Sequence, residues 1–166
     1  MNYSIRKLRP DEARILDIFL YEAIFIPEGA VPPPQEIIYR PELQVYVKDF
    51  GRKQGDICFA AEADGKIVGA VWVRIMEDYG HVDDETPSFA ISLLKKYRNL
   101  GIGTRLMKTM LSELKKQGYL QASLAVQKKN YAVRMYKKTG FEIIGENTDE
   151  YIMICRLQDE QNSFSD

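Results

Sequence analysis

The chain is poor in the residues that build metal and disulfide chemistry: two cysteines and one histidine among 166 residues. Cys58 and Cys155 both lie inside apolar runs and His81 lies in a separate acidic stretch, so there is no Cys/His cluster and no metal is expected. Buried free cysteine behaves as a small hydrophobe, and a disulfide staple is not expected in a domain of this size without an export signal. No apolar run approaches the roughly 18 residues of a membrane span. The opening Met-Asn-Tyr-Ser-Ile-Arg-Lys-Leu-Arg carries charge where a signal peptide needs an apolar core, so a cytoplasmic protein away from membranes is expected. Nor is there an excess of either charge, with 23 Lys and Arg against 24 Asp and Glu. Nucleic-acid binders usually show a strongly basic face, so nucleic acid is not expected as a partner.

The apolar fraction, 45%, is ordinary for a globular protein, and no repeat, low-complexity tract or composition break divides the chain. A single domain over 1–158 is expected, followed by a polar, disordered tail from Asp159 to Asp166.

Hydrophobic periodicity places the elements. Tyr3, Ile5 and Leu8 are interleaved with polar residues in a short strand. Pro10-Asp11-Glu12 marks a helix start, and Ile15, Leu16, Phe19, Leu20, Ala23 and Ile24 give that helix a buried stripe. The proline-rich stretch from Pro27 to Pro34 cannot be regular, because its prolines lack donors and restrict their predecessors. A second helix is predicted from Glu42 to about Phe50, closed by Gly51. Ile57 to Glu62, the Asp64-Gly65 turn and Ile67 to Ile75 read as a hairpin. From Met76 to Ser88 the chain turns acidic and irregular, with Glu77, Asp78, His81, Asp83, Asp84 and Glu85. Phe89 to Leu94 is the next strand.

A glycine-bearing turn and a long helix follow, striped by Leu106, Met107, Met110, Leu111 and Leu114, with Gly118 at its end. Ala122 to Val126 is a strand, Asn130 or a neighbour opens a helix reaching Thr139, and Phe141 to Gly145 pairs with Tyr151 to Leu157. The pattern is mixed α/β (α+β): a three-layer arrangement with helices on both faces of a twisted sheet.

The turn from Arg98 to Thr104 is the chemical centre of the sequence. A helix start leaves backbone N–H groups unpaired at the positive end of its dipole, which makes it an anion site. A Walker loop would need a lysine that follows neither Gly101 nor Gly103. A dinucleotide fingerprint would need glycine where Leu106 stands. What remains is a diphosphate cradle of backbone N–H groups between Asn99 and Thr104, with Arg98 adding charge nearby.

Tyr97-Arg98-Asn99-Leu100-Gly101-Ile102-Gly103-Thr104-Arg105-Leu106-Met107 closely resembles the central motif of the GCN5-related N-acetyltransferase (GNAT) superfamily. Downstream, Leu124-Ala125-Val126, Asn130 and the segment from Ala132 to Phe141 resemble the family's second motif, a strand and then a helix ending in Gly-Phe. The opening from Ile5 to Ala13 looks like its first strand and helix.

The resemblance implies a mostly antiparallel sheet splayed at its central strands, with a slot for the pantetheine arm of acetyl-CoA. Ile91, Leu93 and Leu94 would face that arm. Arg98, Asn99, Leu100, Gly101, Ile102, Gly103 and Thr104 would cradle the pyrophosphate, and Asn130 would add a contact. Tyr136 matches the family's usual general acid, which protonates the departing thiolate; packing its ring near Phe141 is the plainer alternative. Lys95 and Asn99 depart from the proline and glycine common at those positions. Asn130 stands two residues before Ala132 where three is commoner, and Ala125 replaces a frequent catalytic glutamate. The base therefore stays open among Glu77, His81, Asp84, Tyr21, Glu22 and a water chain.

The implied activity is transfer of an acetyl group to a primary amine, on a small molecule or a peptide. A non-catalytic acyl-CoA-binding or sensory module is the alternative on the same fold. The resemblance also allows a homodimer, an assembly common among look-alikes.

Overall fold

The structure, a computed structural model, describes residues 2–158; the expected tail from Asp159 lies outside them. Seven strands form one open sheet in the order β1-β2-β3-β4-β5-β7-β6. They are β1 (Ser4–Lys7), β2 (Ile57–Ala63), β3 (Lys66–Arg74), β4 (Ser88–Leu93), β5 (Gln121–Gln127), β6 (Phe141–Glu146) and β7 (Glu150–Arg156). Every neighbouring pair is antiparallel except β4 with β5. The β2–β3 hairpin closes through Asp64 and Gly65 at φ 52° and 77°, the left-handed pair that a two-residue turn of type I′ needs.

Two apolar clusters make this a three-layer protein. On one face, α1 (Leu16–Glu22) lays Leu16, Phe19 and Leu20 against Cys58, Ala70 and Trp72 of the sheet. On the other, α3 (Ile102–Lys116) buries Ile102, Leu106, Met107, Met110 and Leu114 against Val71, Val73 and Phe89. The helix α4 (Ala132–Lys138) brings Tyr136 to this second cluster. Each large side chain so buried contributes roughly 1.5–3 kcal/mol relative to exposure. Both cysteines are buried free thiols, and burial raises the pKa of each. No helix among the described residues is long and apolar enough to cross a membrane.

Two helical segments differ from expectation. The first opens as a 3-10 helix, Pro10–Ile15, before α1 begins. The predicted helix from Glu42 to Phe50 is only α2 (Pro41–Gln44), followed by a run of turns to Gly51. The sheet interrupts it. Arg74 Nη1 donates to the Val45 carbonyl (3.1 Å) and Trp72 Nε1 to the Tyr46 carbonyl (3.1 Å), taking acceptors a longer helix would use itself. Tertiary bonds outcompete a weak local preference.

Candidate active site

The central feature is a split in the sheet. Strand β4 pairs with β3 along its whole length, from Arg74↔Ser88 to Gly69↔Leu93. It meets β5 at one register position only, Ser88↔Ser123. Beyond Ser88 the edge of β4 facing β5, through Ile91 to Leu93, has no strand partner among the described residues. Such an edge offers backbone donors and acceptors to any extended ligand.

The split leads to the glycine turn. Tyr97 is buried in the core and anchors the turn's start. Asn99 then adopts φ 63° and Gly101 φ 85° before α3 begins at Ile102. Both are left-handed, which costs an ordinary L-residue roughly 1–2 kcal/mol and which glycine and asparagine tolerate best. Asn99 thus keeps the backbone geometry that the commoner glycine would give. No side chain caps α3, and its first internal bond is Arg105 N–H to the Gly101 carbonyl, 3.2 Å. The N–H groups of Ile102, Gly103 and Thr104 meet no acceptor among the described residues, as an anion cradle requires. Leu100 is exposed at the rim, while Gly103 is buried against Met135 of α4.

Arg98 does not point into this cradle. Its Nε donates to the Leu93 carbonyl (3.0 Å), and its Nη2 reaches the Glu22 carbonyl (3.3 Å) and carboxylate (3.0 Å). It ties the end of β4 to the end of α1.

Tyr136 lies on the α3–α4 face of the split. Its ring centroid is 6.1 Å from that of Phe141, which in turn meets Phe89 of β4 edge-on at 5.6 Å. Burial alone raises its phenol, so the hydroxyl stays protonated far above neutral pH. Asn130 is engaged locally, its Oδ1 accepting the Ala132 N–H at 2.9 Å and so bracing the start of α4.

A profile of the acetyltransferase (GNAT) family matches residues 22–141. The chain belongs to the GNAT family. An Nα-acetyltransferase of Sulfurisphaera tokodaii is 28% identical over 118 residues, 60% of this chain and 68% of that protein. A probable N-acetyltransferase, camello, of Xenopus tropicalis is 34% identical over 87 residues, 51% of this chain and 38% of that one. Among solved structures, the PaiA N-acetyltransferase of Thermoplasma acidophilum in complex with coenzyme A aligns with TM-score 0.70 at 20% identity. That match covers 94% of this chain and 99% of the other. The ribosomal-protein-S18-alanine N-acetyltransferase of Escherichia coli aligns at 0.68 and 16% identity over 99% and 100%. The protein is an N-acetyltransferase.

In this GNAT domain the candidate bases divide by what they touch. Tyr21 donates to the Pro33 carbonyl at 2.6 Å, bracing the proline-rich segment. Glu22 is paired with Arg98. His81 holds Nδ1 2.8 Å from the Met76 carbonyl, which fixes that nitrogen as the donor, and its Nε2 is 3.5 Å from the exposed Asp84. Glu77 is exposed.

The acidic loop nevertheless holds a carboxylate that the sequence reading did not single out. Asp78 accepts from Ser88 Oγ at 2.6 Å through Oδ2, while its buried Oδ1 has no hydrogen-bond partner. It is the residue of that run beside a serine of β4, and the only sequence signal was its membership of the run. Among the described residues no group of three His, Cys, Asp or Glu is arranged to hold a metal.

Proposed function

We propose that this N-acetyltransferase takes its acetyl group from acetyl-CoA and moves it directly to a primary amine. The observation that carries the reading is the continuity of the unpaired β4 edge with the uncapped start of α3. The edge from Ile91 to Leu94 suits an extended pantetheine arm. The free N–H groups of Ile102, Gly103 and Thr104 suit its pyrophosphate, and the coenzyme A held by the structural relative PaiA supports that donor.

Holding thioester and amine together supplies the entropic part of the acceleration, and N–H groups near Leu93 polarise the thioester carbonyl. Tyr136 is the general acid. Kept protonated by burial, it gives its proton to the departing sulfur as the carbon–sulfur bond breaks. Arg98, Asn99, Leu100 and Gly101 shape the turn, and Asn130 positions α4 behind it.

Thiol release from acetyl-CoA across a panel of amines, diamines and peptides with free α-amino groups tests the reading. Turnover with at least one amine and saturable acetyl-CoA binding are expected; absence of both would overturn it.

A further inference from the structure

We propose that Asp78 is the proton acceptor for the incoming amine, an inference that rests on the acetyl-transfer reading above. Three observations place it.

The first is position. The segment of Asp78 to Gly80 lies across the point where the split begins. Ser88 donates to Asp78 from β4, and Ser123, its register partner on β5, donates from Oγ to the Gly80 carbonyl at 2.7 Å. Gly80 is pressed so close to β5 that a Cβ there would stand 2.9 Å from the Ala125 nitrogen. Only glycine permits that approach.

The second is side. Along β4, Ser88, Ala90 and Ser92 alternate with Phe89, Ile91 and Leu93. Ala90 packs in the α1 cluster and Ser92 donates to the Phe19 carbonyl of α1, whereas Phe89, Ile91 and Leu93 pack with the α3–α4 cluster that holds Tyr136. Asp78, bonded to Ser88, therefore stands on the opposite face of the split from Tyr136. Direct transfer has this requirement: the amine enters from one side of the thioester carbon while sulfur is protonated from another.

The third is unmet capacity. Oδ1 is buried without a donor, a costly state that an amine N–H would relieve. The groups acting on Asp78 are the Ser88 hydroxyl, the Tyr46 phenol from the turn after α2, and the Gly80 N–H of its own loop. Glu150 of β7 acts on Tyr46 from beyond. Tyr46 lies beside the carboxylate without aligning to bond Oδ1. No Lys, Arg or His forms an ion pair with Asp78 among the described residues. Desolvation raises its pKa above the ordinary value, more than the neighbouring donors lower it, and this strengthens it as a base.

The proton count closes. An alkylammonium has three N–H protons and keeps one in the amide. One passes to Asp78 Oδ1 and on to solvent first, freeing the nitrogen lone pair that then forms the carbon–nitrogen bond. The last replaces the proton that Tyr136 gives to sulfur as the carbon–sulfur bond breaks.

The test uses the full chain, acetyl-CoA and the best amine of the panel. In Asp78→Asn, kcat/KM at neutral pH is expected to fall about 100-fold, with acetyl-CoA affinity within twofold of the original. The deficit should shrink as pH rises toward the amine's own pKa, since a free amine has already lost the proton in question. Unchanged turnover, or the same deficit at every pH, would overturn the proposal. Ser88→Ala keeps the carboxylate but removes a bond that favours its charged form, so the acid limb of kcat/KM should move to higher pH. This variant carries the test should Asp78→Asn fail to fold, and an unmoved limb counts against Asp78. Wild-type protein that neither binds acetyl-CoA nor releases thiol would overturn the donor reading itself, and this inference with it.

Discussion

Arg74 and Asp56 meet through two parallel hydrogen bonds, Nε to Oδ1 at 3.0 Å and Nη2 to Oδ2 at 2.9 Å. Both side chains are almost wholly out of water, at 2% and 0% exposure. The remaining guanidinium nitrogen of Arg74, Nη1, donates to the Val45 carbonyl, and the group lies 5.1 Å over the Phe50 ring. The pair therefore fastens the turns after α2, including Tyr46, to the end of β3 beside Ser88.

Removing one partner leaves the other charge buried and unpaired, which costs about 3–5 kcal/mol. Asp56→Ala should lose stability on that scale in a denaturant titration. The double replacement Asp56→Ala with Arg74→Met should recover part of the loss, because no charge is then stranded.

The glycine turn gives a conformational prediction. Nothing lies within 4 Å of a Cβ built on Gly101, so its replacement by alanine is penalised by backbone alone. Gly101→Ala should destabilise by about 1–2 kcal/mol, as should Asn99→Val, whereas Asn99→Gly should be close to neutral. Thermal melts check the three together, and coenzyme A affinity should weaken in the first two.

Tyr136→Phe removes only the hydroxyl, since the ring packs beside the apolar Phe141. Turnover should drop by about 100-fold or more, with acetyl-CoA binding nearly intact. Because burial holds the phenol protonated, the wild-type rate should show no loss from Tyr136 ionisation up to pH 9. Single-turnover rates across pH check both statements.

Glu12 supplies an acid-sensitive contact. Its carboxylate receives both Nη1 and Nη2 of Arg6 at 2.8 Å, and the Arg9 N–H at 2.8 Å. Arg6 first, and Arg9 next, lower its pKa from 4.5 to about 2. A carboxyl depressed by folding stabilises above its unfolded pKa, and that stability is lost as pH falls through the folded value. Between pH 4.5 and about 2 the wild type should therefore lose stability more steeply than Glu12→Gln, while above that window the wild type should be the more stable. Urea midpoints measured from pH 2 to 7 check it.

What was legible in the sequence was what local rules determine. The hairpin at Asp64-Gly65, the stripe of α3 and the glycine-bearing turn before that helix each follow from neighbouring residues, and each is found. The helix predicted to Phe50 is shortened by Arg74 and Trp72, which lie more than twenty residues away along the chain. Arg98 was legible as a basic residue beside the turn, but not its engagement with Glu22, 76 positions earlier. Asp78 was one acid among several until Ser88 and Gly80 set it at the split. Its significance is a property of two strands that meet only in the folded chain.

Those strands meet at Ser88 and Ser123 and nowhere else along their length. The width of the opening is consequently not dictated by a hydrogen-bond ladder, as the spacing of any other strand pair in the sheet is. It is set as the balance between two coatings: α1 and the Asp78–Gly80 segment on one side, α3 and α4 on the other. Residues that tune the gap can therefore lie in either apolar layer, well away from anything the slot would hold. Within such a frame donor grip and acceptor reach are adjustable by core substitutions of a single methylene, with no contact residue altered.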